Sequence, residues 1–175
     1  MKKIKQNILK LAACVFMVAG LSSCNEDGYE DYEAGGTPSQ ALSGEWFIDI
    51  MDEDGTVLYE HSIHKTFDDN NGKMYISDRI AVNDPPLATD FTGWWLVSKV
   101  NYDLSSLTFS ANAADNEADG SVVNITEGKI LKNVAQSKAG NVVDSIYFKG
   151  EFDYEPGRIL TFSGHRRTGF EEDDF

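Results

Sequence analysis

From Glu45 onward the chain alternates apolar and polar residues in short runs, and no stretch carries the spacing of an amphipathic helix. The alternation predicts strands over residues 45–51, 56–66, 73–80, 93–102, 106–112, 121–126, 129–134, 142–153 and 159–168. Turn chemistry separates them: Asp52-Glu53-Asp54-Gly55, Asp68-Asp69-Asn70-Asn71-Gly72, Pro85-Pro86, Asp119-Gly120, Glu127-Gly128, Ala139-Gly140-Asn141 and Glu155-Pro156-Gly157. Connections this short set neighbouring strands antiparallel. The expected fold is all-β, an antiparallel up-and-down barrel of eight or nine strands, because closure removes the exposed edges that a flat sheet of that size would carry. A β-sandwich shows the same alternation and stays open as the alternative.

Parity assigns an inner face. Trp46, Ile48 and Ile50 share one side, as do Val57, Tyr59, His61 and Ile63, then Met74, Ile76, Asp78 and Ile80. Trp94, Leu96, Ser98, Val100 and Tyr102 follow, then Leu107, Phe109 and Ala111, then Val142, Asp144, Ile146, Phe148 and Phe152, and finally Leu160, Phe162 and Arg166. Trp95 and Val97 are expected to face outward, under a neighbouring loop or a partner protein.

The first 23 residues follow a different rule. Lys2, Lys3, Lys5 and Lys10 precede an apolar run too short to span a bilayer, and small residues end it, which reads as a secretory signal. Leu21-Ser22-Ser23-Cys24 resembles the lipobox of bacterial lipoproteins, in which Cys24 becomes the acylated first residue and anchors the protein to the membrane through its acyl chains. Residues 24–43 then form a polar, Gly-rich tether, residues 44–170 the barrel, and 171–175 an acidic tail expected to be solvated. Glu26 and Asp27 just after the cysteine resemble a surface-export signal, which implies an outer-membrane location on the cell surface or the periplasmic face.

Composition sharpens this picture. The chain of 175 residues carries 29 acidic and 15 basic residues, a net charge of −14. Loss of residues 1–23 would remove four lysines and no acid, leaving −18. Nucleic-acid binding is excluded, since phosphate recognition needs clustered cations. Of the two cysteines, Cys14 would leave with the signal and Cys24 carry lipid, so neither serves as a disulfide, metal ligand or nucleophile.

Two groups of residues carry family resemblances. Gly44-Glu45-Trp46 resembles the Gly-x-Trp signature of lipocalins and other calycins, whose last strand supplies an Arg that packs on that Trp; Arg166 has the position and parity for this role. Leu42-Ser43-Gly44-Glu45-Trp46, Asp144-Ser145-Ile146-Tyr147-Phe148 and Ser163-Gly164-His165-Arg166-Arg167-Thr168-Gly169-Phe170 with its acidic continuation resemble the Bacteroidetes lipoprotein family known as lipid-binding putative hydrolases. That resemblance covers Leu42 to Phe175 and implies a lipid-like ligand, with hydrolysis as an alternative for which no catalytic motif is matched.

The candidate ligand-binding residues are Trp46, Tyr59, Trp94, Tyr102, Phe109, Phe148, Phe162 and Arg166, which would line a barrel cavity for a small hydrophobic or amphipathic molecule. The same aromatics would also make an ordinary core, and a filled-core accessory or adhesion module is the remaining alternative. Arg166 would hold a head group or Trp46. For a hydrolase, inward parity offers Ser98, His61, Asp78 and Asp144 as nucleophile, base and acids, without the Gly-x-Ser-x-Gly elbow that would single out a serine. No cofactor and no metal is expected. Asp115-Asn116-Glu117-Ala118-Asp119-Gly120 begins like a calcium loop but has Thr126 at its twelfth position, and His61, His64 and His165 lack zinc spacing.

Overall fold

The computed structural model describes residues 36–175. Eight strands close into one antiparallel barrel in chain order: β1 (Gly44–Met51), β2 (Val57–Asp68), β3 (Met74–Ser77), β4 (Val97–Asp103), β5 (Thr108–Asp115), β6 (Val122–Gln136), β7 (Val142–Phe152) and β8 (Ile159–Arg166). The sandwich alternative is excluded, because β1 pairs with β8 from Trp46↔Arg166 through Met51↔Thr161. The count is eight rather than nine, since the predicted strands 121–126 and 129–134 are one. Glu127-Gly128, read as a turn, is a bulge: Glu127 has φ +55°, and between Thr126↔Lys149 and Lys129↔Tyr147 β6 carries one residue more than β7.

A second bulge corrects the face assigned to β2. Ile48 pairs with Ser62 but Ile50 with Tyr59, so β2 has an extra residue near His61, whose φ is +52°. Alternation shifts by one position there. Ser62, His64 and Thr66 point inward and are buried, whereas Phe47 and its partner Ile63 lie on the outer wall with His61.

The barrel axis is filled. Phe148 and Phe162 are cross-strand partners whose rings stack 4.3 Å apart at 9°, and Phe109 packs on Phe148 at 5.8 Å. Ile48, Ile50, Met74, Ile76, Leu96 and Val100 complete the layers with no solvent exposure. Burial of such side chains supplies about 1.5 to 3 kcal/mol each, and it is the principal stabilisation of a fold whose described residues hold no cysteine.

One end is closed by the turn Gln40–Leu42, so this part of the predicted tether is instead structure, with Ser39 and Leu42 fully buried. A relay fixes it: Trp46 Nε1 donates to Thr66 Oγ1 (2.9 Å), and Thr66 Oγ1 donates to the Leu42 carbonyl (2.6 Å). The Arg166 guanidinium lies 5.7 Å from the centre of the Trp46 ring and donates to Ser43 O (2.9 Å) and Asp144 Oδ2 (3.1 Å).

The acidic tail is docked rather than solvated. Asp173 is buried and accepts from the Ala139 N–H and from Thr168 and Asn141. Arg167 pairs with Asp174 (2.6 Å), and Phe175 stacks on His61 at 3.5 Å. The apolar outer face of Phe47 explains this, since Phe175 covers it edge-on at 5.0 Å.

Candidate functional site

Opposite the Trp46 end, the segment from Asp78 to Leu96 replaces the predicted ends of strands 73–80 and 93–102 with a long connection. It spans the barrel mouth: Thr92 Oγ1 donates to Ile63 O on β2 (2.8 Å), the Trp95 carbonyl accepts from Asn116 Nδ2 (2.9 Å), and Trp94 Nε1 donates to the Tyr154 hydroxyl (2.7 Å). Trp95 turns outward with φ +55° and stacks on Phe91 of the same segment at 4.8 Å, so a loop of the protein itself partly covers it.

Beneath this lid lies a polar cluster in an otherwise apolar interior. Asp78 is fully buried; its N–H donates to Leu96 O, and its Oδ1 accepts from Leu96 N–H (2.9 Å). Burial pushes the Asp78 carboxyl up to about 7 against the pull of the Leu96 and Trp95 N–H groups. Ser62 Oγ stands 3.3 Å from His64 Nδ1 and 3.2 Å from Thr92 Oγ1. Burial pushes the His64 imidazole down to about 4, so it is neutral over most of the pH range. Among the described residues, Asp78 Oδ2 and His64 Nε2 have no hydrogen-bond partner. Gly93 makes the close approach possible, for a Cβ there would stand 2.4 Å from Ser62 Oγ and 3.1 Å from Asp78 Oδ2.

These two groups give opposite pH dependences. Asp78 binds a proton more tightly folded than unfolded, so its stabilisation is complete below pH about 4 and is lost as the pH rises to about 7. His64 binds its proton less tightly when folded, so its contribution is present above pH about 6.5 and is lost as the pH falls to about 4. The slopes offset each other across that window. Asp78→Asn keeps the acceptor for Leu96 N–H and removes one slope; its denaturation midpoint is expected to rise with pH from 4 to 6.5, where that of the parent protein is flatter. A parallel pair of curves would contradict the burial of Asp78.

The four candidate catalytic residues are not brought together. Ser98 is buried and donates to Asp115 O (2.9 Å), Asp144 is bound to Lys132 (3.0 Å) and Arg166, Asp78 holds the lid, and His61 lies on the outer wall under Phe175. Burial raises the Asp144 pKa, but Lys132, the Asn133 N–H and Arg166 outweigh it and hold the carboxyl below its usual range. Ser62, His64 and Asp78 form the closest approach to a catalytic set, yet Ser62 and Asp78 are closed off from solvent and Asp78 bonds backbone rather than the imidazole. Reading the sequence missed Ser62 and His64 because the phase of β2 was carried through the bulge; the His61-His64 spacing did signal that only one of the two rings faces in.

The candidate ligand residues divide among four places. Trp46, Phe148 and Phe162 belong to the packed interior, and Arg166 to the closed end. Tyr102 and Phe109 line an open cleft of about 520 Å³ beside the β4–β5 hairpin, with Gly128 and Lys129 of β6 as its far wall. Gly128 is required there, since a Cβ would meet the Phe109 carbonyl at 2.3 Å. Tyr59 and Trp94 line a smaller cleft of about 230 Å³ at the lidded mouth, together with Asp119 and Tyr154. Asn116 of the calcium-like stretch spends its side chain on the Val97 N–H, the Trp95 carbonyl, Asp119 and Ser121. Among the described residues no three His, Cys, Asp or Glu side chains are grouped to hold a metal ion. Cys24 and the signal lie outside the described residues.

Fold and clefts together define a small antiparallel barrel of lipocalin-like layout, floored by a Trp–Arg pair. The chain belongs to the family described as lipid-binding putative hydrolase, whose model matches residues 31–171. No curated protein matches it.

Proposed function

We propose that the protein is a lipid-anchored barrel, tethered through acylated Cys24 at the outer membrane, that binds one small amphipathic lipid-like molecule in the Tyr102–Phe109 cleft without altering it. The carrying observation is the cleft itself. Its volume of about 520 Å³ lies within the range of about 300 to 1,000 Å³ typical of ligand sites, whereas the barrel axis is occupied by the Phe148–Phe162 stack. Half-buried Tyr102 offers apolar surface to a chain, and the edge of Phe109, only 4% exposed, also lines the cleft. The polar groups at the rim suit a head group with acceptor oxygens: Glu127 is paired with Lys149 (2.7 Å) and Asp103 with Ser105 and Ser106, while Lys129 makes no ion pair among the described residues. Membership of a lipid-binding family supports the ligand class.

Native mass spectrometry of the purified protein, and displacement of a fluorescent fatty acid, test this reading. Tyr102→Ala with Lys129→Ala is expected to raise Kd about tenfold, the loss of about 1.4 kcal/mol of contact. Absence of fatty-acid uptake by the parent protein would overturn it, and the filled interior then favours the accessory-module reading. The anchor is checked separately: Cys24→Ser should abolish labelling by a radioactive fatty acid and release the protein from membranes.

A further inference from the structure

The lidded mouth lies at the other end of the barrel from Trp46, and its chemistry is unlike that of the Tyr102–Phe109 cleft. Tyr59 and Trp94 meet with ring centres 6.0 Å apart at 90°, forming a corner rather than a flat platform. Trp94 donates its Nε1–H to the Tyr154 hydroxyl, which brings a third ring to that corner. Gly93 and Trp95 complete the lining, and Asp119 supplies the one carboxylate.

From this arrangement we infer a second binding site, for a compact organic cation of the quaternary ammonium type. Aromatic faces set at right angles surround a round cationic group, and the electron-rich face of an indole attracts such a charge most strongly. A sugar, by contrast, needs a flat ring to lie on and several polar partners. A cation already lies against the Trp94 ring, since the Arg158 guanidinium is 5.2 Å from its ring centre. Arg158 is held there by Asp52 and Glu155, both at 2.7 Å, and it is not among the residues lining the cleft. Asp119 has an oxygen to spare: Oδ1 accepts from Asn116 Nδ2 and from the N–H and hydroxyl of Ser121, while Oδ2 has no partner among the described residues. Burial foremost, with the charges of Asp119 and Glu155, pushes the Tyr154 phenol up to about 12 against the opposing effects of the Trp94 N–H and of Arg158. A volume of about 230 Å³ suits a head group.

The site goes beyond the proposed lipid cleft and is tested without any lipid. Choline chloride is titrated into the full chain against equal concentrations of potassium chloride, with tryptophan fluorescence and the Trp94 indole N–H resonance as readouts. The uncharged isostere 3,3-dimethylbutan-1-ol is titrated in parallel. Choline is expected to bind about fivefold more tightly than the alcohol, as one exposed cation–π contact together with the Asp119 charge would provide. Asp119→Asn keeps an oxygen for Asn116 and Ser121 while removing the charge, and should reduce the ratio to less than about twofold. Tyr59→Leu, at an exposed ring, should weaken choline binding similarly. Equal affinity for the alcohol, a response matched by potassium chloride, an unchanged ratio in Asp119→Asn, or no saturable response would each overturn the assignment. None of these results bears on fatty-acid uptake at Tyr102 and Phe109.

Discussion

Gly164→Ala is expected to lower the melting temperature by about 10 °C, an effect far out of proportion to one methyl group. Gly164 pairs with Ile48 across the β1–β8 seam and with Ile146 on the other side. A Cβ there would stand 1.9 Å from the Phe47 carbonyl oxygen and 2.8 Å from Ile48 Cα. Both obstacles are backbone, so no rotamer change relieves them and the strands must separate where the barrel closes. Overpacking usually costs about 1 to 3 kcal/mol, and an immovable obstacle places this case near about 3. For a domain of this size each kcal/mol moves the midpoint by about 2 to 4 °C. Circular dichroism melting checks it, with Ser163→Ala as the neighbouring control at under about 1 kcal/mol. A midpoint equal to that of the parent protein would mean that β1 and β8 do not approach as closely as their register requires.

Phe148→Ala carries the other large effect, a loss of about 3 to 5 kcal/mol in denaturant unfolding. The ring touches Phe162, Phe109 and His64, and it has no solvent exposure. Removing it forfeits the free energy of burying that ring on folding and leaves a void that paired strands cannot collapse to fill. The size of the loss also discriminates between functions. A barrel whose axis holds a guest tolerates truncation of a lining ring, so a cost below about 1 kcal/mol would place the ligand along the axis rather than in the Tyr102–Phe109 cleft.

What could be read from the sequence was the part governed by period and turn chemistry. Alternation in β1, β4, β7 and β8 was unbroken, so Trp46, Ser98, Phe148 and Phe162 could be turned inward from spacing alone, and the Gly44-Glu45-Trp46 opening with Arg166 indicated which strands meet. The failures have two causes. A single residue in the left-handed region, at His61 or Glu127, shifts the phase or bends a strand while leaving the local pattern of residue types plausible. His64 was therefore turned outward, and a bulge at Glu127-Gly128 was read as a turn. Pairing partners distant in sequence were equally hidden: nothing near Asp173 announces that Ala139 and Asn141 wait for its carboxylate. Hydrogen bonding from Ser137 foremost, with Ala139, Thr168 and Asn141, holds that carboxyl well below its ordinary range against the opposing effect of burial. The lid was hidden for the same reason, since Asp78 binds Leu96 across a loop in which no period survives.

The closure of the barrel has a consequence in time. Seven of the eight strand pairings join consecutive strands, and each can form as soon as its own hairpin is complete. The eighth joins residues 46–51 to 161–166, the longest reach in the domain, and must wait until the last strand exists. Until that moment β1 presents one bare row of N–H and C=O groups beside Phe47, Ile48 and Ile50, which is a template for any other strand. The rate at which β8 arrives therefore sets how long each new molecule is open to pairing with its neighbour instead of with itself.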